Sequence, residues 1–209
     1  MLQINKIISF RLYILLTLSV SLQVIPALAY DDKSDLSREY QIKAAFLYNF
    51  MQFVDWPEEK VSDKNAPVIL GIIGEDPFGD AFKPIKSKQI KGKKSLIKRF
   101  EGIEKLKESD DKGQSKIEFI RQCHLLFICS SEKENLEDII NLVSGYDVLT
   151  VGETSNMLES GGIVNFLVDE NKVRFEINLT AARRENIKIR SQLLRLAKKV
   201  IDNNNLAKK

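Results

Sequence analysis

The run Val68-Ile-Leu-Gly-Ile-Ile73 has six consecutive residues without a polar side chain. It is short and rich in β-branched residues, so it suits a strand covered on both faces, as in a parallel sheet between helical layers. Leu125–Ile128 and Val148–Val151 repeat the pattern, and Lys94–Phe100 adds a more polar strand. Between two of them, Glu132–Val143 carries Leu136, Ile139, Ile140 and Val143 at helical spacing, which predicts a crossover helix. Strands alternating with helices imply right-handed crossovers. Gly162–Leu167 and Val173–Ile177 flank the polar stretch Asp169–Lys172, the pattern of a hairpin with a turn of about four residues. The predicted fold is therefore α/β: a three-layer sandwich with a mainly parallel sheet flanked by helices, plus a C-terminal antiparallel hairpin.

Helices are expected at both ends of the domain. From Ser37, a plausible N-cap, to Trp56, the residues Ile42, Ala45, Phe46, Asn49, Phe50 and Phe53 define one face, and Trp56-Pro57 ends the helix. From Ser191 a last helix is predicted with the stripe Leu193, Leu196, Ala197 and Val200, followed by a frayed tail over 203–209. Ser109–Ser115 reads as a mobile loop.

The first 29 residues are predicted to lie outside the fold. Lys6 and Arg11 form a basic start, Leu12–Val24 an apolar centre, and Ala27-Leu28-Ala29 a small-residue cleavage site. The apolar centre is shorter than the ~20 residues of a membrane span, which disfavours an uncleaved anchor. The expectation is a signal peptide at 1–29, a single domain at 30–209 and export from the cytosol. Removal of the leader lowers the formal charge of the 209-residue chain from +3 to about +1. Neither value argues for nucleic acid.

The search for chemistry excludes more than it finds. Gly74 and Gly79 have the spacing of a phosphate loop, but Asp80-Ala81 stands where Lys-Ser/Thr is needed, and Glu75, Asp76 and Asp80 would repel a phosphate. Asp76 and Pro77 read better as the cap and first position of a short helix. There is no G-x-S-x-G elbow. The single histidine, His124, adjoins an apolar strand and reads as structural. Cys123 and Cys129 lie about 20 Å apart if both sit on one straight strand, too far to pair; free thiols are the expectation, with a disulfide as the alternative if the chain turns sharply near one of them. No catalytic set, cofactor or metal site is expected.

Three features suggest surfaces instead. Lys83–Arg99 holds eight basic residues and no acid. It reads as a solvated edge strand or as a contact for an anionic membrane surface or acidic partner. Arg174 and Glu176 share one face of a strand by alternation. Asp76, Phe78 and Glu153 lie at the carboxyl ends of strands, where α/β sheets bind partners, and would meet there if the first and fourth strands are neighbours. These five residues are the expected partner-binding set.

The chain also resembles a known family. Ile42-Lys-Ala-Ala-Phe-Leu-Tyr-Asn-Phe50 with Phe53-Val-Asp-Trp-Pro57, then ILGIIGEDPFG (69–79), CHLLFICSSE (123–132), VLTVGE (148–153), GGIVNF (161–166), KVRFEIN (172–178) and LLRLAKKV (193–200), are similar in order to the YfiR-like family. The resemblance covers nearly all of 30–209 and is weakest over 84–120. It implies a non-catalytic periplasmic regulator whose partner is the periplasmic region of an inner-membrane diguanylate cyclase. The alternative is a periplasmic small-ligand sensor. A homodimer is a further partner state compatible with the sequence.

Overall fold

A computed structural model describes residues 32–63, 65–108 and 111–203. The predicted leader at 1–29 and the tail beyond Asn203 lie outside the described residues. Asp35–Lys209 forms one compact unit, and the other unit, Met1–Ser34, is described only at its last three residues.

The chain opens with α1 (Asp32–Phe53) and β1 (Val54–Asp55), followed by α2 (Glu58–Val61), β2 (Val68–Ile73) and β3 (Ser95–Phe100). Next come α3 (Ile103–Glu108), α4 (Asp111–Arg121), β4 (Leu125–Ile128), a 3-10 turn (Ser130–Asn135), α5 (Leu136–Val143) and β5 (Leu149–Gly152). The C-terminal part holds β6 (Val164–Asp169), β7 (Lys172–Asn178), α6 (Leu179–Arg184), β8 (Lys188–Ile189), α7 (Ser191–Leu194) and β9 (Lys199–Ile201). Seven strands form one sheet in the order β3-β2-β4-β5-β6-β7-β9, and β1 and β8 form a separate antiparallel pair. All neighbours in the large sheet are parallel except the β6–β7 hairpin.

Alternation along the strands divides the apolar residues between two cores. Leu70, Ile72, Leu125, Phe127, Leu149 and Val151 face a core closed by α1, α6 and α7. Ile73, Leu126, Ile128 and Val148 face a second core closed by α3, α4 and α5. This is the predicted α/β sandwich, with helices on both faces.

Several local expectations are corrected. Ser37 lies inside α1, which already runs from Asp32. The helix ends at Phe53, before Trp56-Pro57, because Val54 and Asp55 pair with Ile189 and Lys188. The buried stripe is Tyr40, Lys43, Ala44, Leu47, Phe50 and Met51, whereas Ile42 is exposed. The predicted stripe is thus rotated about the axis, because Lys43 is buried where Glu153 pairs its charge. Asp76 caps no helix: its Oδ1 accepts from Phe78 N at 2.8 Å in an Asx turn, and successive turns continue the chain. The crossover segment is a 3-10 turn before a shorter α5.

The hairpin turn is also tighter than predicted. Asp169 pairs with Lys172, leaving only Glu170 and Asn171 between them, both at positive φ as a type I′ turn requires. Asp111–Ser115 begins helix α4 and is no loop. The last predicted helix stops after Leu194, and Val200 lies in β9. That strand forms because the outer edge of β7 accepts it in parallel register.

Candidate functional site

The order β3-β2-β4 means that the chain builds β3 on one side of β2 and then crosses to the other side for β4. Such a reversal opens a crevice outside the carboxyl ends of the two strands. Two cavities lie along this edge of the sheet. The first, about 380 Å³, is lined by Gly74, Glu101, Gly102, Ser131, Glu132 and Asn135 among others. Its walls approach closely. Gly74 has φ +99°, and a Cβ there would lie 2.5 Å from Ser131 Oγ. Ser131 Oγ in turn accepts from Glu75 N at 2.9 Å. Glu132 is buried because its carboxylate accepts from Ile103 N at 3.1 Å, which satisfies the first turn of α3.

The second cavity, about 260 Å³, is lined by Glu39, Tyr40 and Lys43 of α1, by Ser130 and Glu153, and by Phe166, Leu167 and Val168 of β6. Lys43 is only 4% exposed. Its Nζ lies 2.6 Å from Glu153 Oε2, pairs also with Glu39, and sits 4.5 Å from the Tyr40 ring centroid. Tyr40 donates to Glu153 at 3.2 Å. Burial, and then the charge of Glu153, push the Tyr40 phenol up, so it stays a hydrogen-bond donor.

The predicted partner residues fall in two groups. β2 and β5 are not neighbours, since β4 lies between them. Tyr40 nevertheless brings Phe78 and Glu153 together: its ring packs edge-on at 5.2 Å to Phe78 while its hydroxyl holds Glu153. Phe78 is 3% exposed, packed on Phe82 and Phe127, and so presents no surface itself. Asp76 pairs with Arg99 at 2.5 Å. Arg174 and Glu176 lie on the opposite face of β7 from Phe175 and Ile177, as alternation requires; Arg174 is exposed and pairs in register with Leu167. Glu176 sits in register between Asn165 of β6 and Lys199 of β9.

Sequence reading missed Tyr40 and Lys43. A lysine at helical spacing with Ala44 and Leu47 was the available signal, but only its distant partner Glu153 gives it meaning.

The remaining reactive side chains are locked. His124 Nδ1 accepts from Ile69 N at 3.1 Å, and its carbonyl accepts from Trp56 Nε1 at 3.0 Å. Burial, then the charges of Lys60 and Lys93, lower its pKa to about 4. Cys123 and Cys129 are free and buried. Burial pushes the Cys123 thiol up to about 12 and also raises Cys129. Among the described residues no cluster has the make-up of a metal site.

The basic segment is partly spent internally. Lys93 Nζ donates to the carbonyls of Val61 and Asp63 at 2.7 and 2.8 Å, and Lys91 pairs with Asp55 at 2.8 Å. Lys98 and Arg99 are exposed on β3, which is an edge strand of the sheet.

The model of the YfiR/HmsC-like family matches residues 40–198. The chain belongs to this family. The matched region of this chain begins at Tyr40 and includes the Tyr40–Lys43–Glu153 group, the first cavity, the lining of the second except Glu39, and the large sheet without β9. No curated protein matches the sequence. Among solved structures, the fold is similar to a conserved domain protein from Vibrio cholerae O1 biovar eltor, at 10% identity and a TM-score of 0.52. It is also similar to an ABC domain in complex with L-Trp from Streptococcus pneumonia, at 10% identity and a TM-score of 0.53. Each alignment covers 78% of this chain and 60% of the other, so the chain spans about three fifths of the length of these structures. These likenesses establish the α/β fold. Among the described residues no helix is long and apolar enough to cross a membrane.

Proposed function

We propose that this YfiR/HmsC-like protein is a non-catalytic periplasmic regulator. It binds the periplasmic region of an inner-membrane diguanylate cyclase and holds that enzyme inactive. The observation that carries the reading is family membership over 40–198. The leader-like sequence at 1–29 supports export and a single domain from residue 30. The buried, low-pKa His124 and the two buried thiols support a role without chemistry of their own.

The proposed contact surface is the carboxyl edge of the sheet with the adjoining hairpin. Arg174, Glu176 and Asp76 supply its polar groups, and Phe78 and Glu153 hold the surface in shape from below. Val168, 56% exposed at the rim of the second cavity, supplies an apolar contact. An apolar centre with a polar rim is the usual anatomy of such an interface. Repression requires tighter binding to the inactive conformer of the partner than to the active one.

Deleting the gene should raise cellular cyclic di-GMP, and restoring the chain with its leader should lower it. A version lacking residues 1–29 should fail to complement. Unchanged cyclic di-GMP, together with no membrane protein recovered by crosslinking, would overturn the proposal.

A second reading, a small-ligand sensor, rests on the 260 Å³ cavity, where a cation and carboxylates face apolar walls. The L-Trp complex among the similar folds makes free amino acids the first ligands to screen by thermal shift.

A further inference from the structure

Charge is unevenly divided along this chain. Lys83–Arg99 holds eight basic residues and no acid, whereas the rest of the chain after residue 29 holds 22 basic and 29 acidic residues, a net of −7. Protection of an edge strand accounts for little of this, because β3 spans only Ser95–Phe100 and carries just Lys98 and Arg99. The other six basic residues precede it, in a stretch that adds no strand to the large sheet. We propose that the β3 edge of the molecule is a docking surface for an anionic phospholipid bilayer.

The fold uses half of these cations and leaves the rest to solvent. Lys83, Lys91 and Arg99 hold Asp80, Asp55 and Asp76, and Lys93 donates to two carbonyls. Lys86, Lys88, Lys94 and Lys98 are exposed and have no acidic partner among the described residues. The backbone that carries them is fixed. Phe78, Phe82 and Ile90 are buried beneath it, and Tyr48 and Gln52 of α1 each donate to Gln89 O at 3.0 Å. Ile90 and Lys93 close a two-residue turn, with Lys91 and Gly92 at positive φ. Lys88 lies 5.7 Å from the Tyr48 ring of α1, and Lys98 lies 5.3 Å from the Phe119 ring of α4. These helices close opposite faces of the sheet, so the free ammonium groups wrap around its edge.

The make-up of this surface favours lipid over protein. Protein interfaces are depleted of lysine and centre on aromatic and apolar residues. Here all four free cations are lysines, and none of the large exposed apolar side chains lies in 83–99. A lysine is a point charge on a flexible stem, so it needs no fixed partner geometry and can reach a plane of phosphates from a curved edge. Each lysine near an anionic surface adds about fivefold in affinity, so four give a reversible, salt-sensitive contact. The acidic remainder of the chain is repelled by the same surface, which sets the orientation. β6 and β7 lie toward the other end of the sheet, so the hairpin with Arg174 and Glu176 stays clear of the lipid.

The leader-free chain 30–209 should co-sediment at low salt with vesicles of phosphatidylglycerol and phosphatidylcholine, and not with phosphatidylcholine alone. Salt at about 0.5 M should release it. Lys86→Gln with Lys88→Gln should weaken the partition about 25-fold, and adding Lys94→Gln and Lys98→Gln should abolish it. All four side chains are exposed, so thermal denaturation should be unchanged in both variants. Lys133→Gln with Lys172→Gln, exposed lysines outside the stretch, should bind like the parent protein. No binding to the anionic vesicles would overturn the proposal, as would binding that survives the fourfold substitution. An equal loss in the control pair would also overturn it, because net charge rather than the β3 edge would then be acting. These outcomes are independent of the cyclase.

Discussion

Tyr40 and Glu153, 113 positions apart, are joined by a hydrogen bond from the phenol to Oε1 at 3.2 Å. With Lys43 on the other carboxylate oxygen at 2.6 Å, the bond fastens α1 to the carboxyl end of β5. Side-chain exposures of 5% for Lys43 and 7% for Glu153 mean that removing either leaves the other charge buried. Lys43→Met or Glu153→Gln should therefore each cost about 3–5 kcal/mol of stability. Glu39 can still pair with Lys43, which places Glu153→Gln at the lower end. The double variant should cost less than the sum of the two. Urea denaturation of the four proteins in a double-mutant cycle measures the coupling, and additive losses would show that the pair is not coupled.

Phe50 is fully buried, 5.6 Å from the ring of Phe166 and 5.0 Å from that of Phe175. Phe50→Ala removes the transfer gain and leaves a cavity between helix and sheet, for a loss of about 3–5 kcal/mol. Ile42→Ala, on the exposed face of the same helix, should change stability by less than about 0.5 kcal/mol. Equal effects at the two positions in thermal denaturation would contradict the observed stripe.

His124 gives the protein an acid-sensitive element. Its folded pKa of about 4 lies below the ordinary histidine value of 6.5, so the folded state disfavours the imidazolium. The stabilisation from neutral His124 is complete above pH 6.5 and is lost as pH falls toward 4, because the unfolded chain takes up the proton first. A shift of this size corresponds to about 3 kcal/mol. Histidine proton resonances should titrate near pH 4 in the folded protein. His124→Gln should flatten this part of the stability profile, and a titration near 6.5 would refute the assignment.

The thiols should be silent in the folded state. Cys123 and Cys129 are 0% and 1% exposed, and both have raised pKa values, so little thiolate is available at neutral pH. A thiol reagent should label neither in native protein and both after unfolding without reductant. A mass two hydrogens lower, with no labelling, would indicate an intrachain disulfide.

The sequence by itself determined the sheet's central strands. Val68–Ile73 and Leu125–Ile128 are continuous apolar runs, and burial on both faces is their only favourable state in water. It also determined the stripe of Leu136, Ile139, Ile140 and Val143, because a helix confined to one face of the sheet requires that spacing. His124 was legible as structural from its apolar neighbours. Tertiary structure decided what depends on partners distant in the chain. Val54–Asp55 leaves the helix because Lys188–Ile189 pairs with it, and Lys199–Ile201 is a strand because β7 has an open edge. Neither segment carries enough local preference to choose alone. The candidate site shows the same division. Glu153 was legible as a residue at a strand's carboxyl end. Lys43 was not, because a lysine is normally solvated, and it lies in the interior only where Glu153 and Glu39 compensate its charge.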